Sequence, residues 1–292
     1  MARTLAPPTA LAIGAPSRVK ARDWSGIIAH AILLAAVAVL AFPLYYAFVI
    51  STQTLSQVTS LPPRPWPSTA LFSNYAEAWQ RAHMGRLLLN SAIVALGVAF
   101  GKIAISLLSA FAIVYFNFRG KQVVFWMIFV TLMLPVPVRI VSTYQVISVL
   151  GWVNTYWGLT VPLMASATGT FLFRQFYQTM PDSLAEAAQL DGAHPMRFLW
   201  SILLPLSKAN MAALFVILFV YGWNDYLWPL MITNTPEMRT AVIGIESLVP
   251  RTSQLPEWNV AMAAAMMVLL PPVGVIVVMQ RWFVKGLIET EK

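Results

Sequence analysis

Six long apolar stretches, separated by short polar segments, constrain this chain more than any other feature. A helix needs roughly 20 mostly apolar residues to cross about 30 Å of hydrocarbon. The stretches cover residues 24–50, 87–116, 123–147, 156–176, 210–232 and 260–284. Charged residues make up 10% of the 292 residues and hydrophobic ones 59%. Soluble domains carry about 25% charged residues, and disorder needs high charge with low hydrophobicity. A water-soluble globule and a disordered chain are both excluded. The expected class is an all-α, polytopic membrane protein with six transmembrane helices. Pro135 and Pro137 in the third stretch and Pro271 and Pro272 in the sixth should kink or break those helices, because proline removes a backbone donor.

The first stretch exceeds the 7–15-residue core of a signal peptide and lacks a small-residue cleavage site, so it reads as a retained anchor. Arg3, Arg18, Lys20 and Arg22 precede it. Arg119, Lys121, Arg174, Arg197, Lys208, Arg281, Lys285 and Lys292 fall on the same side by alternation. Arg64, Arg81, Arg86, Arg239 and Arg251 fall on the other. The richer side is cytoplasmic by the positive-inside rule, which places both termini there. The expected organisation is an N-terminal tail 1–23, a six-span domain 24–284 with a cytoplasmic loop 178–209, and a C-terminal tail 285–292. The net charge of +8 then sets topology in a lipid bilayer and does not signal nucleic acid. The outer loop 51–85 contains the proline-rich run 61–67, which reads as extended chain. The other long outer loop spans 233–259. No internal repeat is evident.

The loop 178–209 holds local signals of its own. Pro181 can sit just before a helix start, and Ser183 followed by Glu186 has capping-box spacing, so a helix should begin there. Ala185, Ala187 and Ala188 leave its surface bare. Gly192 suits a left-handed helix stop, and His194-Pro195 blocks continuation. A second helical stretch, 196–204, leads to Pro205 and the fifth span. The spacing fits a short helix at the inner membrane surface against which a partner docks closely. It fits an ordinary interfacial loop as well.

Glu186-Ala187-Ala188, three residues, Gly192, nine residues, Ile202, one residue and Leu204-Pro205 resembles the EAA motif of ABC importer permease subunits. Asp191 and Ala193 flank the glycine as the motif has them. Segments 90–116, 125–140, 158–176 and 221–230 are similar to the E-type permeases of sn-glycerol-3-phosphate importers. The resemblance implies a type I ABC importer permease architecture in a bacterial inner membrane. It implies that Glu186, Ala187, Ala188, Asp191, Gly192, Ala193 and Pro205 couple the chain to an ATPase. The implied partners are a second permease forming a heterodimer, an ATPase dimer and an external solute-binding protein. The chain itself is then no enzyme and binds no cofactor; ATP and Mg belong to the ATPase. The implied solute is sn-glycerol-3-phosphate or a glycerophosphodiester, with a neutral sugar or polyol as the alternative.

Three ionisable residues stand out inside the stretches, away from their ends: Lys102, Arg139 and Asp225. Each costs about 2.5 to 3.5 kcal/mol on insertion scales, so each needs a partner or a role. A phosphate monoester carries one to two negative charges near neutral pH and needs compensation within a membrane. Arg139 is the first candidate for that contact, as a bidentate fork, and Lys102 the second, as a point charge. Trp223, Asn224 and Tyr226 are candidates for the glycerol portion. Asp225 can accept from hydroxyls or hold Arg139. The plainer alternatives are mutual neutralisation of Arg139 and Asp225 between helices, and a snorkelling Lys102. A stand-alone secondary transporter would want inverted repeats and more in-span carboxylates than Asp225. An intramembrane enzyme would want HExxH, GxSxG or a serine–histidine pair, none of which is evident. Gly97 and Gly101 have the spacing of a close helix contact. His30, His83 and His194 are too scattered for a metal site, and there is no cysteine.

Overall fold

The computed structural model describes residues 24–131, 135–246, 248–249 and 256–288. The N-terminal tail 1–23, Arg251 and the last residues of the C-terminal tail lie outside the described residues. The described residues form helices and turns, with no strand among them. In order the helices are α1 (Trp24–Ser51), α2 (Leu55–Val58), α3 (Leu71–Arg81), α4 (Met84–Tyr115), α5 (Lys121–Val130), α6 (Val136–Val149), α7 (Tyr156–Thr160), α8 (Ala167–Gln178), α9 (Asp182–Leu190), α10 (Pro195–Phe198), α11 (Leu204–Leu206), α12 (Lys208–Trp223), α13 (Leu227–Ile232), α14 (Ala241–Glu246) and α15 (Trp258–Ile288). Two compact units divide the chain, one ending at Tyr46 and the other beginning at Ala47.

The first unit contributes residues 24–46 of α1. Ile32, Leu34 and Leu40 are all exposed there, and no polar stripe interrupts them. A helix apolar all round is built for lipid.

The second unit is arranged around α4, which packs against α7, α8, α12 and α14. Its packing face is made of small residues. A side-chain carbon on Gly97 would lie 3.1 Å from Thr160 Cγ2, and one on Gly101 would strike Met164. The glycine pair predicted to permit close packing therefore receives α7 and the turn after it. On the α12 side, Gly222 comes so near that a Cβ there would sit 3.2 Å from Ala95 Cα. α15 closes the other face of α12, with Ala263 and Ala264 fully buried and the Trp223 indole donating to the Val268 carbonyl at 3.1 Å.

Among the described residues three helical segments are long and apolar enough to span: Gly26–Ser51, Met84–Tyr115 and Trp258–Trp282. A fourth arises if the pair Pro195–Leu206 and Lys208–Trp223, bent by 74°, counts as one span. The third expected stretch is split into α5 and α6, and Pro135 caps α6 as a proline should. The fourth is split by a 3₁₀ turn at Val161–Leu163, and the fifth by residues 224–226 between α12 and α13. Pro271 and Pro272 do not break α15, which runs through both with α12 packed along it.

The loop segments are more ordered than a proline-rich reading suggests. Residues 61–67 lack regular structure, yet the Gln53 amide donates to the carbonyls of Arg64 (2.9 Å) and Trp66 (3.1 Å) and pins them. The Asn74 amide on α3 donates to the Ser51 and Gln53 carbonyls, so α3 is tied to the end of α1. Asn90 of α4 does the same for 235–239, donating to the Glu237 and Arg239 carbonyls and accepting from the Tyr156 hydroxyl.

Gly158 gives the sharpest test of this packing. A Cβ there would collide with the Trp152 carbonyl, and the Gly158 carbonyl accepts the Trp228 indole N–H at 3.1 Å. Gly158→Ala should cost about 1–3 kcal/mol, at the upper end because backbone cannot step aside. A thermal melt of the detergent-solubilised protein should show the drop, while Gly274→Ala, in open space on α15, should not.

Candidate functional site

Lys102 sits midway along α4, on the side that faces α12. Its ammonium lies 4.4 Å from the centroid of the Tyr221 ring. Arg139 is placed by the first turns of α6, which Pro135 starts. Its carbonyl accepts the Thr143 hydroxyl at 2.8 Å, and its side chain is exposed. Lys102, Arg139 and Tyr221 line one cavity of about 580 Å³, together with Ser109, Thr131, Ser166, Thr168 and Thr170. A smaller pocket of about 90 Å³ shares the same three residues and adds Thr143 and Trp228. Two cations and several hydroxyls thus converge on space between apolar helices, a setting that attracts an anion bearing oxygen acceptors.

Asp225 does not pair with Arg139. Among the described residues the ion pairs are Arg81–Glu77 and Arg81–Glu257, both elsewhere. Asp225 stands instead between α12 and α13, where a negative charge suits the start of α13. Mutual neutralisation of Arg139 and Asp225 is therefore not the arrangement. Trp223 is 2% exposed and belongs to the core. Asn224 ends α12, its N–H on the Val220 carbonyl at 3.1 Å, and Tyr226 reaches Glu246 Oε2 at 3.5 Å. None of these four lines either cavity. Tyr221 and the hydroxyls of Thr131, Ser166, Thr168 and Thr170 are the residues that sequence reasoning missed. Tyr221 stands one turn before Asp225, but spacing along α12 cannot show that it faces Lys102.

The EAA segment forms α9. Its start follows the Pro181 signal and not the Ser183–Glu186 box. Pro181, at φ −61°, takes the cap position without a side-chain hydrogen bond, which puts Ser183 in the first turn. From there its hydroxyl cannot serve as a cap, so the Ser183–Glu186 box is not made. Asp182 supplies the negative charge that the helix start favours. The end is as the spacing predicts. Gly192 adopts φ +69°, its N–H bonds the Gln189 carbonyl at 3.0 Å, and Ala193 N–H bonds the Ala188 carbonyl at 2.8 Å. This pair of bonds is a Schellman stop. Ala188 is buried and Ala193 half-buried against Phe111, Tyr115 and Phe198, while Glu186, Ala187 and Asp191 face outward. Leu190 beside them is 89% exposed. Beyond Ala193 the His194 ring accepts from Met196 N–H, and α10 passes through a π-helical turn, Leu199–Leu203, into α11 with Pro205 in its first turn.

An all-helical bundle with such a loop and an in-span cationic cavity has the form of a transport permease. The chain matches, over residues 102–289, the family described as binding-protein-dependent transport system inner membrane component. It belongs to that family, and with its apolar helices it is a multi-pass inner-membrane permease. Within the family it is 52% identical over 282 residues to the sn-glycerol-3-phosphate transport system permease protein UgpE of Rhizobium meliloti (strain 1021), covering 94% of this chain and 100% of the relative. The proteins of the same description from Agrobacterium fabrum and Yersinia enterocolitica are 52% and 51% identical with the same coverage. A bacterial ABC transporter that imports the acidic polysaccharide alginate contains a chain with the same fold, at a TM-score of 0.80 and 20% identity, over 92% of this chain.

The helix stop yields a local prediction. Nothing crowds a Cβ at Gly192, so only the left-handed backbone resists substitution. Gly192→Val should open the turn and speed amide exchange at Gly192's replacement and Ala193. Gly192→Asn, which tolerates that backbone region, should exchange near the wild-type rate.

Proposed function

We propose that this chain is one of two permease subunits in an ATP-driven, binding-protein-dependent importer of sn-glycerol-3-phosphate or a closely related glycerophosphodiester. The observation that carries the solute reading is the convergence of Lys102 and Arg139 on one cavity between apolar helices. A phosphate lowered into the membrane meets a bidentate arginine and a lysine point charge there, and the surrounding hydroxyls supply donors for its remaining oxygens. The names of the relatives at 51–52% identity support the same solute. The reading includes six spans, the third to fifth as broken helices, with both termini cytoplasmic. It includes docking of an ATPase dimer on the outward residues Glu186, Ala187 and Asp191, with Gly192 and Ala193 fixing the helix end. Pro205 and the bent junction at Ser207, whose hydroxyl donates to the Leu203 carbonyl at 2.6 Å, pass the movement to α12. ATP and Mg act in the partner subunit; this chain contributes no chemistry.

Reconstitution in proteoliposomes with the second permease, the ATPase and the solute-binding protein should give ATP-dependent uptake of sn-glycerol-3-phosphate. Uptake without ATP, or of a neutral polyol only, would overturn the proposal. Arg139→Gln should slow that uptake about tenfold or more, the worth of a charge-assisted hydrogen bond, and Arg139→Lys should recover part of it. Gly192→Val should leave the permease pair assembled but lower the ATPase that co-purifies with it.

A further inference from the structure

A lysine halfway along a membrane helix needs something to hold its charge. Lys102 has a ring face rather than a carboxylate in contact: its ammonium stands 4.4 Å from the Tyr221 centroid. The backbone geometry that creates this contact is visible one residue on. Gly222 brings α12 within van der Waals distance of α4 at Ala95, which is two helical turns from Lys102. With α12 that close, Tyr221 lies across the groove from Lys102; it is exposed, not buried in the core, and lines the cavity. The same ring lines both the larger and the smaller pocket, and so do Lys102 and Arg139. Without the ring, a flexible four-carbon stem has room to swing elsewhere.

We propose that Tyr221 is a positioning residue that holds the Lys102 ammonium over its ring face beside Arg139, and that the resulting pair of cations sets the preference for a phosphorylated solute over an uncharged polyol. This rests on the phosphate reading of the cavity. The ring acts through its π face, so the hydroxyl is dispensable and the effect of Tyr221 passes through Lys102 alone.

The test uses the complete transporter in proteoliposomes, saturated with binding protein loaded with sn-glycerol-3-phosphate, and reads ATP hydrolysed per solute imported. That ratio is insensitive to how much complex folds. Tyr221→Leu should raise it about fivefold, the size expected of a partly desolvated cation–π contact. Tyr221→Phe should stay within about twofold of wild type, because the ring remains. Lys102→Gln should raise the ratio at least as far as Tyr221→Leu, and the double variant no further than Lys102→Gln alone. Impairment of Tyr221→Phe equal to that of Tyr221→Leu, or multiplicative losses in the double variant, would overturn the positioning role while leaving the solute assignment intact. A wild-type transporter that imports no phosphorylated solute would remove the solute assignment and this inference together.

Discussion

The close approach of backbone to backbone along α4 is the constraint on which the rest of the second unit depends. In hydrocarbon, helices gain little from burying apolar surface against each other, since lipid is equally apolar. Cohesion comes from contact distance, and contact distance is set by small residues. Gly97 and Gly101 admit α7 and Met164, and Gly222 admits α12 against Ala95. Buried Asn90 and Asn74 and half-buried Asn154 then tie loops to this frame: Asn90 to 235–239, Asn74 to the end of α1, and Asn154, at φ +61°, whose side-chain oxygen accepts from the N–H groups of Asn234 and Thr235. Each satisfies carbonyls or N–H groups that would otherwise be left unpaired at the helix ends.

The same frame explains how charge is tolerated. Lys102 is too far from the helix ends to reach water by extension, and Arg139 makes no ion pair among the described residues. Both open onto a common cavity, where water or an anion can solvate them. Broken helices make that cavity. The end of α5, the 3₁₀ turn at Val161–Leu163 and the start of α8 bring Thr131, Ser166 and Thr168 to its wall. Irregular backbone at such depth is stable only where protein or water covers it. Asp225 fits this account as a local device: it stands just before α13, after the break that ends α12, where its charge favours the helix start.

The EAA segment shows how local and tertiary signals divide. A glycine followed by His-Pro forces the helix to stop, and the stop is where spacing put it, at Gly192. At the helix start two cap signals compete two residues apart, and the proline's fixed φ outranks a serine hydroxyl. Which side of α9 faces outward is not encoded in its alanines. Phe111, Tyr115 and Phe198, from distant parts of the chain, cover Ala188 and leave Glu186 and Ala187 bare.

Residue order alone determined the class, the apolar stretches, the charged residues within them and the ends of the longest helices, because hydrophobic run length and proline or glycine punctuation act within a few residues of themselves. It also marked Lys102 and Arg139, since an ionised group in an apolar run is conspicuous wherever the chain goes. Tertiary structure decided that these two share a cavity, that Asp225 is spent on a helix start, that Trp223 is core, and that Tyr221 covers Lys102. Those outcomes depend on which faces of α4, α6 and α12 meet. That choice is made by contacts between residues more than 30 positions apart, whose energies no local pattern records.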